Sequence, residues 1–147
     1  MIQKQQYANN MPTNILIDLN IILDVFLERQ GHKASSEVIQ TGEQHKSTLH
    51  ISGHMVTTFG YLLEHARVPR QLILQHIEWL LNTFTVVPTD KILLEKALKS
   101  TVADYEDAVV VQAAVISQCE MIITRNLKDF KASTIKALDP EQFLKAQ

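Results

Sequence analysis

The sequence predicts an α/β fold, a mostly parallel sheet of about five strands with helices on both faces. Three observations predict it. Short β-branched and aliphatic runs alternate with amphipathic stretches from one end of the chain to the other, the pattern that builds βαβ units. The first run, "NILID" (14–18), is almost continuously apolar, which suits a parallel strand covered on both faces. No internal repeat or low-complexity linker interrupts the alternation.

Each element follows from local chemistry. After "NILID" comes "NIILDVFLER", whose Ile21, Ile22, Val25 and Phe26 recur at helical spacing. A second helix is expected over about 33–45, with Ala34, Val38 and Ile39 as its apolar positions. "TLHIS" (48–52) alternates and stops at Gly53, which reads as a strand and its end. Helices follow over 54–66 and 70–83, the second after Pro69, a residue suited to a helix start. "FTVVP" (84–88) is a strand, and "DKILLEKALKS" (90–100) is a helix that begins with an acid. "ADYEDAVVVQAAVIS" supplies a helix over about 104–118, "EMIIT" (120–124) a strand and "TIKAL" (134–138) the last strand. "DPEQFLKA" closes the chain with Asp139 as N-cap, Pro140 in the first turn and Gln142 as capping-box partner. Residues 1–12 read as a polar tail and 13–147 as one domain.

Bulk properties narrow the function. A chain of 147 residues can bury one proper core. Lysines and arginines number 14 against 16 acids, a net charge of −2. Overall basicity therefore does not announce a nucleic-acid partner, and contact with phosphate falls to local arginines or a bound metal. The single cysteine, Cys119, excludes an internal disulfide framework and suits a reducing compartment. No apolar stretch is long enough to span a membrane. "MIQKQQYANN" lacks the hydrophobic centre of a signal peptide, so a cytoplasmic location is expected.

In open parallel sheets ligands collect beyond the carboxyl ends of the strands, and acids gather there in this chain. Asp18 closes the first strand; Thr124, Arg125 and Asn126 leave the fourth, with Asp129 shortly after; Asp104, Glu106 and Asp107 open the helix that feeds it. Helix capping explains Asp104 and Glu106, because acids at a helix start complement its dipole by about 0.3–1 kcal/mol each. It explains Asp107 less well, since that residue leads into the buried run "AVVVQAAV". Asp18 faces a desolvation cost unless something pairs with it, and the helix-cap alternative at Asp18 or Asn20 stands beside the functional one. Together Asp18, Asp107 and Asp129 form an oxygen-only set without histidine or cysteine, which suits Mg2+ or Mn2+. Such ions serve phosphodiester hydrolysis.

"ILIDLNIILDVFLER", "DYEDAVVVQAA", "IITRNLKDF" and "LDPEQFL" resemble, in order and spacing, the PIN domain of PilT N-terminus and VapC-type ribonucleases. The resemblance runs over about residues 13–145. It implies a three-layer α/β/α sandwich and a Mg2+- or Mn2+-dependent ribonuclease for single-stranded RNA. It also implies a toxin held by an antitoxin, and a homodimer. Carried over by position, Asp18, Asp107 and Asp129 are the acids, Asp104 an auxiliary acid, and Thr124, Asn126 and Asn20 their polar neighbours. The family commonly has a glutamate where this chain has Thr58, whose hydroxyl brings no charge.

Other features weigh less. His50 and His54 of "HISGH" invite a zinc reading, but Gly53 and the strand-to-helix change break the spacing, and surface or loop positions are expected. Arg29, Arg67, Arg70 and Arg125 are candidates for a phosphate backbone, Arg29 and Arg125 foremost. Trp79, Leu80, Leu81 and Phe84 are expected in the core or, in part, against a second subunit. Two functions remain: RNA hydrolysis, and a degenerate domain of the same family that binds RNA or an antitoxin without cutting. A haloacid-dehalogenase-type phosphatase would need an aspartate where Asn20 stands.

Overall fold

The computed structural model describes residues 11–147, so the expected polar tail lies outside the described residues as far as residue 10. Among them five strands form one sheet: β1 (Asn14–Ile17), β2 (Thr48–Ser52), β3 (Thr85–Val87), β4 (Met121–Ile123) and β5 (Lys136–Leu138). Their order is β3-β2-β1-β4-β5, and every pairing is parallel. Ile15, Leu16 and Ile17 of central β1 have no exposed surface, which is why that run needed no polar alternation.

Between β1 and β2 lie α1 (Leu19–Phe26) and α2 (His32–Gln44); between β2 and β3 lie α3 (Gly53–His65) and α4 (Arg70–Thr83). The chain then returns through α5 (Lys91–Leu98) and α6 (Tyr105–Ile116) to β4, on the far side of β1. Right-handed crossovers that run in opposite directions along a sheet place their helices on opposite faces. The result is the three-layer sandwich. Helix α6 packs on β1, β2 and β4, and Ala108, Val109, Val110, Val111, Ala113 and Ala114 are buried there. After β5, α7 (Pro140–Lys145) starts with the expected capping box between Asp139 and Gln142 and packs against α2.

One expectation needs correction here. His50 is neither a surface nor a loop residue: it is buried in β2, its Nε2 3.1 Å from Asn14 Oδ1 across the strand pair. The apolar run on α4 is split by helical geometry. Leu80 and Phe84 face inward, whereas Trp79 and Leu81 remain 37% and 50% exposed.

Helix ends also differ from the expected spans by one or two residues at several places. The cause is visible at the exits of α1, α2, α3 and α6. Glu28, Lys46, Arg67 and Gln118 there adopt left-handed backbone, with φ of 48°, 58°, 61° and 55°. Left-handed residues end helices and are usually glycine. Here no glycine marks the stop.

Candidate active site

Register creates the first half of the site. Ile17 pairs with Ile123, so the next residues, Asp18 and Thr124, emerge side by side at the carboxyl edge. They stand where the strand order reverses, since β1 leads to β2 on one side and meets β4 on the other. Open α/β sheets place ligands at that switch point. Asp18 is only 8% exposed and Thr124 is fully buried. Asp18 Oδ1 accepts the Leu19 N–H at 2.8 Å, capping α1. Its Oδ2 accepts from Thr124 Oγ1 at 2.8 Å and from Asn20 Nδ2 at 3.3 Å. The cap and the strand-end acid are thus one residue.

The exit from β4 is tied to the same group. The Asn126 N–H donates to Thr124 Oγ1 at 3.1 Å, and the Arg125 N–H donates to Asn20 Oδ1 at 3.4 Å. Burial pushes the Asp18 carboxyl upward in pKa, its Thr124 and Leu19 hydrogen bonds oppose this, and the charges of Glu106 and Asp129 push it up further.

The second half comes from α6 and the 3-10 turn Leu127–Phe130. Asp104 is the N-cap of α6, its Oδ1 accepting the Asp107 N–H at 3.0 Å. Asp107 is pushed up to about 7, first by burial and then by the charges of Asp104, Asp18, Asp129 and Glu106. Four other carboxylates from three separate elements therefore act on one. Asp129 is exposed on the 3-10 turn.

Among the described residues no lysine or arginine forms an ion pair with Asp18, Asp107 or Asp129. Nor is any group of three Asp, Glu, His or Cys side chains there positioned to hold a metal ion. The donors fit a divalent cation by chemistry: hard oxygens with uncompensated negative charge.

Glu106 also acts on these acids, and His54 lies beside it, although the sequence reading set both aside. Glu106 had an adequate explanation as a helix-dipole acid. His54 proves to be a half-buried helix residue rather than a loop one. It sits in the first turn of α3, its Nδ1 2.8 Å from Ser52 Oγ, and its N–H donates to Thr89 Oγ1 at 3.0 Å. Its Nε2 is buried, has no hydrogen-bond partner, and lies 3.8 Å from Glu106 Oε1. Burial lowers the imidazole pKa against the pull of Glu106, which favours the neutral ring. The one available signal was its place two residues past a strand end. Thr58, one turn later, is half-buried and donates its hydroxyl to the His54 carbonyl at 3.1 Å.

The two favoured arginines converge elsewhere. Asp24 of α1 is fully buried, and its Oδ1 and Oδ2 pair with Arg29 Nε at 3.1 Å and Arg125 Nε at 2.7 Å. Ser35 Oγ donates to Oδ2 at 3.4 Å. The arginine side chains stay 39% and 38% exposed, which leaves part of each guanidinium facing solvent. Asp24 was missed, although an acid inside the apolar stretch "IILDVF" was its signal.

The sequence model of the PIN domain family matches residues 14–128, from β1 to the turn just before Asp129. The chain belongs to the PIN domain family. PIN domains are in general nucleases, and they generally use divalent metal ions. No curated protein matches this PIN domain in sequence. Solved structures do share its fold. A chain of VapBC2 from Rickettsia felis, bound to a promoter DNA fragment, aligns with a TM-score of 0.68 at 11% identity, covering 86% of this chain and 98% of that one. A toxin-antitoxin complex from Klebsiella pneumoniae gives 0.65 at 22% identity, covering 86% and 97%. FitAcB from Neisseria gonorrhoeae gives 0.65 at 17%, covering 86% and 98%. Among the described residues no helix is long and apolar enough to cross a membrane.

Proposed function

We propose that this PIN domain, acting as one unit over residues 13–147, hydrolyses phosphodiester bonds of single-stranded RNA with Mg2+ or Mn2+. The observation that carries this reading is the field at Asp107. Burial first, and then the charges of Asp104, Asp18, Asp129 and Glu106, raise its pKa to about 7, and among the described residues no lysine or arginine pairs with it. A divalent cation relieves that repulsion. In this reading Asp18, Asp107 and Asp129 hold the cation, with Asp104 as auxiliary acid.

When bound, the cation supplies Lewis acidity to the phosphodiester and makes a water acidic enough to attack near neutral pH. Thr124 holds Asp18 Oδ2 in place through its hydroxyl, and Asn20 fixes both that oxygen and the Arg125 backbone. Asn126 presents its side chain at the β4 exit, where it orients water or phosphate. The exposed parts of Arg29 and Arg125 face the RNA backbone.

The solved structures with this fold include toxin-antitoxin complexes. That supports a toxin restrained by an antitoxin; we further propose that it works in the cytoplasm as a homodimer. A second reading, binding of RNA or antitoxin without cleavage, draws on Thr58, whose uncharged hydroxyl is occupied by the His54 carbonyl. Cleavage of single-stranded RNA in Mn2+ by wild type and Asp107→Asn separates the two. The nuclease reading expects the variant to lose activity by at least about a hundredfold. Equal background cleavage by both proteins would leave only the binding reading.

A further inference from the structure

We propose that the buried carboxylate of Asp24 is a positioning group. It holds Arg29 and Arg125 by their Nε edges and turns their remaining guanidinium donors into one fixed seat for a phosphate of the RNA strand, beside the phosphate being cut. This rests on the reading of the chain as acting on single-stranded RNA.

The balance of charge points to an anion. Asp24 is fully buried in α1. Its Oδ1 pairs with Arg29 Nε at 3.1 Å, and its Oδ2 with Arg125 Nε at 2.7 Å and Ser35 Oγ at 3.4 Å. One cation is enough to neutralise one buried carboxylate. The second leaves a surplus positive charge, and among the described residues neither arginine pairs with any other acid. Among the same residues no Nη group of either arginine donates a hydrogen bond. The side chains stay 39% and 38% exposed, which opens that surplus to solvent. Two guanidinium groups drawn together by one carboxylate, with their outer donors unused, match the several oxygens of a phosphate.

The support is fixed on both sides. At the exit of α1 Glu28 takes left-handed backbone, φ 48°, and the Arg29 N–H then donates to the Asp24 carbonyl at 3.1 Å. The Arg29 carbonyl accepts the His32 N–H at 3.0 Å. The Arg125 N–H donates to Asn20 Oδ1 at 3.4 Å, and Asn20 Nδ2 donates to Asp18 Oδ2. The seat is thereby tied to the acidic rim. Six residues along α1 separate Asp18 from Asp24, a rise of about 9 Å, so the seat takes a neighbouring phosphate rather than the scissile one. Arg125 also lines a cavity of about 390 Å3 between the starts of α2 and α7, which gives the strand room beside it. Asp139 and Glu141 line that cavity too, without pairing with Arg125.

Binding of a fluorescent single-stranded RNA, read by anisotropy in EDTA so that no strand is cut, tests this through the sign of the effect. Asp24→Asn removes a negative charge and keeps both arginines. If the arginines attracted RNA merely as mobile charges, the variant would bind more tightly. A fixed seat predicts the reverse. Affinity should fall by about threefold or more, and the slope of log affinity against log salt should shrink by about 0.7, the share of one phosphate contact. Arg125→Lys keeps the charge without the fork and should also weaken binding. Equal or tighter binding by folded Asp24→Asn overturns the proposal. Wild-type protein gives a second reading that no folding defect can confuse. On addition of the RNA, the side-chain 15N resonances of Arg29 and Arg125 should move more than those of Arg67 and Arg70, and stationary Arg29 and Arg125 signals overturn the seat. The nuclease reading fails separately. A wild type that binds RNA but never cuts it in Mn2+ loses the nuclease and keeps the seat. One that cuts while Asp24→Asn binds normally keeps the nuclease and loses the seat. One that binds no RNA loses both.

Discussion

Thr124 Oγ1 lies 2.8 Å from Asp18 Oδ2, joining residues 106 positions apart in the chain. The same hydroxyl accepts the Asn126 N–H at 3.1 Å. One oxygen thus binds the end of β1 to the exit of β4. Thr124→Val keeps the shape and removes both contacts. It should destabilise the fold by about 1–3 kcal/mol, the cost of leaving buried polar groups unpaired. Urea unfolding reads that loss, and divalent-ion affinity should fall in the same variant.

The acids predict how stability depends on pH. Asp107 stands at about 7 in the fold against an ordinary 3.8, so the folded chain keeps a proton that the unfolded chain releases between these values. Its stabilising contribution is fully present below the lower value and is lost as pH rises through the higher one. Asp18, also raised, acts in the same sense. Solvent around Asp107 screens its effect to about 1 kcal/mol. In EDTA, wild type should melt lower at pH 8 than at pH 5. Asp107→Asn should flatten that slope and melt above wild type at pH 8. If the variant instead melts lower at pH 8, the Asp107 charge serves chiefly to complement the dipole at the start of α6.

Asp24 predicts an asymmetry. Its carboxylate is fully buried, while Arg29 and Arg125 are partly open to water. Removing both arginines strands a buried charge and should cost about 3–5 kcal/mol. Asp24→Asn lets the arginines turn to solvent and should cost less. Chemical denaturation of Asp24→Asn and of the Arg29→Ala, Arg125→Ala double variant gives the comparison. Equal losses would show that the arginines contribute through packing of their stems.

The left-handed helix exits offer a gain. Glycine at Lys46 or Gln118 relieves the side-chain clash of that conformation and gives back part of the benefit as unfolded-state entropy. A net gain of about 0.5 kcal/mol per site is expected, read as a melting temperature raised by about 1–2 °C.

The sheet and its helices were legible because each strand is a short apolar run and each helix has its own periodicity. The placement of Asp18 after a strand, of Asp107 in the first turn of a helix and of Asp129 in the turn beyond β4 was legible because strand ends and helix starts can be placed without knowing the pairing. What escaped depended on contacts between elements. His54 looks like a loop histidine until Ser52 and Thr89 are seen anchoring its backbone and Nδ1. Arg29 and Arg125 look free until Asp24 is found between them, a buried carboxylate carried by α1. Helix exits escaped for a local reason: lysine, glutamate, arginine and glutamine occupy positions that glycine usually marks.

The position of β1 in the sheet has a consequence for biosynthesis. This strand is sandwiched between β2, complete by residue 52, and β4, which starts only at residue 121. Polypeptides emerge N-terminus first, so one flank of β1 stays open until β4 has been made, and Asp18 waits for Thr124. A ribosome-bound fragment lacking the last strands has no assembled cutting centre. If the chain degrades RNA as proposed, it cannot cut any until the segment carrying Thr124 and Asp129 has emerged.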